Sequence, residues 1–424
     1  MRDVIGAAGW RIVLLASLGG TLEFFDFVIF GIFARDIGDT IFPNPTPLVS
    51  LIQSFAAFAV GYLARPIGGI VLSHFGDRYG RRRVFLVSIF VMSAATFAMG
   101  LVPSYAAWGA AASLLMVTLR LLQGFCLGGE LPGALTYVVE TARRQAAFVC
   151  GVVFACVTMG VAAATGLSLI LRTWLEPDVM AQYGWRVAFV VGGLGGLVSF
   201  VLRRSLEESP EFVRIKALAA RQPLREVART HLSSVALGIA CLAATAGFNG
   251  LFFSHMTAYM SSVLSYDARQ AVVSQTVGVI VHALAIVGVG YAVAATRLRP
   301  RTLLCGGALA LTLLALPFYS ALAAKRLDPT RLMVMAGVIA AFVNGTFAVV
   351  LTDLFPTRLR FSGVALGFNI AFTIFSGTAP LVATSLIRGT GLSTAPAFVM
   401  MACGALSFAA SLVLAPFEGH VLGD

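Results

Sequence analysis

An all-α membrane protein of twelve transmembrane helices in two six-helix halves is the fold class the sequence predicts, and three observations predict it. The 424-residue chain is 58% apolar and only 12% charged, a composition that a water-soluble domain does not sustain. Apolar runs of bilayer length, roughly 20 residues, recur twelve times along it. One stretch alone, Arg203 to Arg229, is long and rich in charges of both signs, and it divides those runs six and six.

Taken in order, the runs lie near residues 11–35, 48–73, 84–102, 108–138, 146–171 and 186–203, and then near 231–262, 270–295, 302–323, 331–353, 361–387 and 394–415. Residues 1–203 therefore read as an N-terminal six-helix bundle, 204–229 as a cytoplasmic linker and 230–424 as a C-terminal six-helix bundle. The opening, MRDVIGAAGWR, leads into a span broken by acids with no small-residue cleavage site after it, so span one is expected to be kept. Orientation follows from Lys and Arg. With both termini cytoplasmic, 20 of the 30 basic residues fall on that side and eight outside, while Arg65 and Arg120 stay within spans. That asymmetry sets the orientation, and the expected location is the cytoplasmic (inner) membrane, with lipid against the flanks.

Several function classes drop out at this level. The formal charge of +11 comes without a basic run interleaved with aromatics, so nucleic acid is not an expected partner. The six cysteines sit in apolar runs with no CxxC pair and no histidine at ligand spacing, which excludes a metal site and reads as small buried hydrophobes. No nucleophile, base and orienter constellation appears in the spans, so an enzyme is not expected.

What does stand out is GGTLEFFDFVIFG, Gly19 to Gly31, where Glu23 and Asp26 interrupt span one. An acid near the centre of a membrane helix costs roughly 2.5 to 3.5 kcal/mol on insertion scales. Two acids three residues apart share one helix face and cannot easily both stay ionised in low dielectric, so one should hold a proton. Arg120 in span four and Arg65 in span two are the available buried cations. At 1.5 Å per residue Asp26 lies about 13 Å, and Arg120 about 18 Å, from the external end of its span, near enough in depth to pair. Arg65 and Glu130 each lie about 12 Å from the cytoplasmic end of their spans, so contact is possible, either as a structural pair or in passage of substrate or proton.

The halves echo one another. Arg78, Arg81, Arg82 and Arg83 follow the second span as Arg297, Arg299 and Arg301 follow the eighth, and Glu140 with Arg143 and Arg144 is matched by Asp353 with Arg358 and Arg360. Two related halves are the usual build of a carrier that rocks about a midplane site.

The loop SHFGDRYGRRR, Ser73 to Arg83, resembles the signature loop of the major facilitator superfamily. More narrowly, EFFDF at Glu23, FAVGYLARPIGG at Phe58, RLLQGFCLGGE at Arg120, GWR at Gly184, RRSLEESPEF at Arg203 and NGTFAVVLTDLFPTRLRFSG at Asn344 resemble the metabolite:proton symporters, which include citrate, tricarballylate, dicarboxylate, proline and betaine carriers. The resemblance implies that Asp26, with Glu23, and Arg120 form the proton-coupling set, the alternative being a fixed ion pair that locks spans one and four. It implies that Asp77, Arg78, Arg81, Arg82 and Glu140 form a cytoplasmic gate, and that spans one, four, seven and ten line the cavity.

The second half contributes no Lys or Arg to the membrane interior, so its candidates are Asn249 and His255 in span seven, Gln275 and His282 in span eight, Asn344 in span ten and Asn369 in span eleven. Each is either a ligand or a helix-to-helix hydrogen bond. The expected substrate-binding set is Arg120, Arg65, Glu130, Asn249, His255, Asn344 and Asn369. A guanidinium offers a fork that meets a carboxylate two oxygens at a time. The expected function is therefore a proton-coupled symporter importing a small organic acid, a di- or tricarboxylate, by alternating access. It would act as a monomer with no cofactor beyond the proton gradient. A symporter for a zwitterion such as proline or betaine is the alternative, and a non-transporting sensor on a carrier fold is the alternative from another class.

Overall fold

A computed structural model describes residues 7–79, 81–128, 130–142, 145–204, 223–296 and 298–414, and among these the predicted runs are helical and no strand occurs. Nine helices among the described residues are long and apolar enough to cross a bilayer alone. Two further spans are bent pairs: span one turns 59° between Ser17–Ile32 and Ala34–Ile41, and span seven 41° between Leu232–Cys241 and Ala243–Val263. Span three supplies the shorter apolar helix Leu86–Leu101. Span six begins earlier than its apolar run suggests, at Pro177, because a wide turn over Met180–Gly184 carries the helix outward. Residues 205–222 of the expected linker lie outside the described residues, and Pro223–Thr230 is a short helix.

A bilayer rewards the opposite of a soluble fold: the apolar stripe turns outward and the polar face inward. Span two, Pro47–Tyr79, shows it within about two turns. Leu63, Ile67 and Ile70 are 54%, 60% and 49% exposed, while Tyr62 and Arg65, on the other face, are buried.

Small residues bring spans two and four into backbone contact, the close approach that lipid-embedded helices depend on. Gly124 lies against Gly61, Gly68 against the Phe125 backbone, and Gly128 against Gly69 and the Arg65 carbonyl. Further along span four, Gly133 meets Phe361 of span eleven, and Gly129 lies outside the described residues. A methyl at Gly124 would collide with the Gly61 carbonyl. Gly124→Ala is therefore expected to cost about 1 to 3 kcal/mol through overpacking, lowering the thermal midpoint in detergent. Gly288→Ala, with open space around it, should leave the midpoint unchanged.

Charges at helix ends do structural work. Arg172 of span five binds Asp36 on the bent end of span one at 2.6 Å. Arg186 donates to the Gly100 and Val102 carbonyls that close span three, where a cation also favours the negative end of the helix dipole. Between the halves, span five (Ala146–Trp174) runs along span eight (Ala268–Thr296), and span two packs on span eleven.

Span seven carries wide turns over Asn249–His255 and Tyr259–Val263, and span eleven over Phe372–Gly377. Such turns are frequent at functional positions. The Gln275 amide of span eight donates to the Phe252 and Phe253 carbonyls at 2.7 and 2.9 Å, which holds the first turn of span seven in place.

Candidate functional site

Two arginines from neighbouring spans meet on one phenyl ring. Arg65 and Arg120 are 1% and 0% exposed. Their guanidinium carbons stand 5.8 and 4.4 Å from the Phe27 centroid. Arg120 also lies 4.4 Å from Phe30 and 5.2 Å from Phe58, and Arg65 lies 5.3 Å from Tyr62. The rings hold the cations through their negative faces, yet they use none of the N–H groups. Arg120 donates from Nη1 to Gln123 Oε1 at 2.5 Å, whereas Nε and Nη2 of both arginines have no hydrogen-bond partner among the described residues. Spare guanidinium donors in an apolar interior are costly. A carboxylate is the group that fits them.

The expected ion pair between Asp26 and Arg120 is not formed, and this corrects the sequence reading. Asp26 is buried, but its carboxylate faces span six, where Gly192 and Gly196 leave room; a Cβ at Gly192 would lie 2.6 Å from Oδ1 and one at Gly196 3.2 Å from Oδ2. Gln123 stands between acid and base. Its Nε2 donates to the Asp26 backbone carbonyl at 3.2 Å and to Thr96 Oγ1 at 2.8 Å, while its Oε1 takes the Arg120 hydrogen. Counting residues along a helix gives depth but not azimuth, and the two side chains point to different neighbours. Glu23 is also buried, 3% exposed.

The second-half candidates separate into two places. Asn344 Nδ2 donates to Asn249 Oδ1 at 3.1 Å and faces His282 Nε2 at 2.8 Å, so spans seven, eight and ten share one polar cluster. His255 lies apart from it: its Nε2 is 3.1 Å from Thr384 Oγ1, and its ring stacks on Tyr259 and meets Phe55 of span two, each at 5.4 Å. Asn369 reaches across the halves, donating to the Gly128 carbonyl at 2.6 Å.

Sequence reasoning missed Tyr62, Thr373 and Ser376, and it placed Arg360 only in an echo between the halves, with no role at the site. Pro66 has no N–H, so the Tyr62 carbonyl four residues earlier loses its helical donor. Thr373 Oγ1 of span eleven donates to that carbonyl at 2.8 Å, and Ser376 Oγ donates to the Tyr62 hydroxyl at 3.2 Å. Pro66 within an apolar run was the available signal, since it announces a carbonyl that some other element must satisfy. Arg360, just outside the predicted edge of span eleven, is buried in the helix Thr357–Ala371 and binds Glu140 of span four at 3.2 Å. The side chains of Asp77, Arg78, Arg81, Arg82 and Glu130 lie outside the described residues, and with them the rest of the expected gate and the Arg65–Glu130 contact.

Contacts between the halves thus lie on both sides of the arginines. At the Glu140 end they are Glu140–Arg360, Asn369–Gly128 and Thr373–Tyr62. At the other end Gly31 lies against Ser254, and Phe55 with Leu51 packs on Ala258 and Leu381. Thr373→Val keeps the volume of the side chain but removes one hydrogen bond, about 1 kcal/mol. It should open the Glu140 end several-fold more often, read as faster hydrogen exchange around Tyr62–Arg65 and Phe361–Asn369.

Comparison with known proteins places this architecture. The family model described as Major Facilitator Superfamily matches residues 12–380. The citrate-proton symporter of Klebsiella pneumoniae is 33% identical over 422 residues, covering 96% of this chain and 93% of its own. The proline/betaine transporter of Salmonella typhimurium is 29% identical over 410 residues, covering 92% and 80%. A crystal structure of a D-xylose-proton symporter superposes with a TM-score of 0.74 at 18% identity, over 98% of this chain and 99% of that one. These relatives are transporters, which sets an enzymatic role aside. The chain is an integral membrane transporter and belongs to the major facilitator superfamily.

Proposed function

We propose that the protein is a proton-coupled symporter that imports a small di- or tricarboxylate by alternating access across a bacterial inner membrane, with both termini in the cytoplasm and the proton gradient as its only energy source. The observation that carries the reading is the pair of buried guanidiniums on the Phe27 ring, each with Nε and Nη2 unpartnered among the described residues. Two such forks carry two positive charges toward one place. A cargo with two or more carboxylates meets both, and a zwitterion meets one. The similarity to a citrate-proton symporter supports the same choice.

Asp26 is the proposed proton carrier and Arg120 the first substrate ligand. With the Asp26 carboxyl in the niche at Gly192 and Gly196, and Gln123 between the two residues, Arg120 is at liberty to receive an anion. This is the arrangement expected once the acid has taken up its proton. Proton and substrate then load together and the closed carrier turns. Asn369, Thr373, Ser376 and Arg360 hold the end that must open to release them.

The zwitterion alternative draws on the proline/betaine relative and on the rings of Phe27, Phe30 and Phe58, which would suit a quaternary ammonium. Those rings already hold Arg120. Counterflow in proteoliposomes with mono-, di- and tricarboxylates, proline and glycine betaine at two pH values tests the reading. Exchange of di- or tricarboxylates is the expected result; exchange of proline or betaine alone would replace it with the zwitterion reading, and exchange of nothing would favour a sensor.

A further inference from the structure

We infer that the asparagine pair of spans seven and ten, oriented by His282, recognises a hydroxyl group on the carried acid. The inference rests on the polycarboxylate reading above and narrows it to hydroxy acids.

One backbone carbonyl fixes the whole arrangement. His282 Nδ1 lies 2.6 Å from the Gly337 oxygen, which can only accept, so in the neutral ring Nδ1 carries the hydrogen. Nε2 is then an acceptor. It faces the Asn344 amide nitrogen at 2.8 Å, and that nitrogen gives its other hydrogen to Asn249 Oδ1 at 3.1 Å. Neither amide can be turned over without setting donor against donor or acceptor against acceptor. What remains is one donor and one acceptor, Asn249 Nδ2 and Asn344 Oδ1. Both are buried and have no hydrogen-bond partner among the described residues.

Two adjacent spare groups of opposite kind, inside a membrane protein, call for a ligand that is both acceptor and donor. A hydroxyl accepts from Asn249 and donates to Asn344. A carboxylate only accepts, and would set its oxygen against that of Asn344. A quaternary ammonium does neither. The pair is also linked to the arginines: Gly250, next to Asn249, lies against the Ser376 backbone, Ser376 donates to the Tyr62 hydroxyl, and the Tyr62 ring carries Arg65. Carboxylate forks on one side and a hydroxyl reader on the other describe a hydroxylated polycarboxylate.

The test needs no mutation at first. Citrate and tricarballylate differ by one hydroxyl, and so do malate and succinate. Counterflow by the wild-type protein should give the hydroxy acid of at least one pair a KM roughly tenfold or more below that of its deoxy partner, because a site built to bond a hydroxyl is left unpaired by the analogue. Asn249→Leu and Asn344→Leu, each checked for folding by thermal unfolding, should erase that preference. Equal KM values within both pairs would overturn the hydroxyl inference and leave the polycarboxylate reading standing. A wild-type preference that survives in both folded variants would overturn the assignment to these asparagines. Transport of proline or betaine with no response to any of the four acids would overturn the polycarboxylate reading, and this inference with it.

Discussion

Asp26→Asn is expected to abolish uphill uptake driven by a pH gradient while some exchange of substrate persists. Asparagine has nearly the shape of the protonated acid, so it should occupy the same niche at Gly192 and Gly196. It cannot take up or release a proton. A gradient of one pH unit supplies about 1.4 kcal/mol per proton, enough for roughly tenfold accumulation of a substrate moved with one proton at no net charge. In the variant that accumulation should fall to equality, since the gradient no longer has a titrating group to act upon. Exchange at equal pH needs only that the loaded carrier turn, and asparagine resembles the loaded form. The measurement is vesicle uptake with and without an imposed gradient, alongside counterflow. Normal gradient-driven accumulation in the variant would remove Asp26 from the coupling step, and the same assay on Glu23→Gln would then ask whether its neighbour carries the proton.

The span pattern was legible because the length of an apolar run is a local property of the chain. All twelve runs correspond to helical spans, including the short apolar part of span three. The bend after Ile32 and the wide turns of span seven were not legible, because they depend on partners far away in sequence, such as Gln275 holding the Phe252 and Phe253 carbonyls. The site shows the same division. That Arg65, Arg120, Asp26 and Glu23 must face the interior follows from the cost of charge in lipid, and all four are buried. Which of them meet does not follow. Each residue advances a helix by about 100°, so two groups at one depth can point to different helices, as Asp26 does toward span six. Gln123, the residue that separates Asp26 from Arg120, lies one turn after Arg120 in RLLQG and carries no charge to draw notice. Asn249 and Asn344 were singled out separately. Their joining through His282 became visible only with spans seven, eight and ten packed together.

Lysine at either arginine is expected to raise the KM for a di- or tricarboxylate by roughly 10- to 100-fold, since hydrogen bonds to charged groups are worth about 1.5 to 3 kcal/mol each. The substitution keeps the charge and removes the planar fork, so it tests geometry rather than net electrostatics. At Arg120 the loss has a second part. The guanidinium lies over Phe27 and Phe30 at 4.4 Å and is steadied by Gln123, and a compact, strongly hydrated ammonium is poorly matched to that apolar setting. Arg120→Lys should therefore be the more severe of the two. Arg65→Lys is the more informative. If two carboxylates are read, its KM for a tricarboxylate rises while uptake of a monocarboxylate changes little, because a single acid group can be met by Arg120 alone. If Arg65→Lys leaves the KM of every substrate unaltered, only one fork is in use, and the second positive charge has to be matched by something other than the cargo. Counterflow of the two variants with mono-, di- and tricarboxylates, compared at one pH, separates these outcomes through the number of carboxylates at which the effect of Arg65 begins.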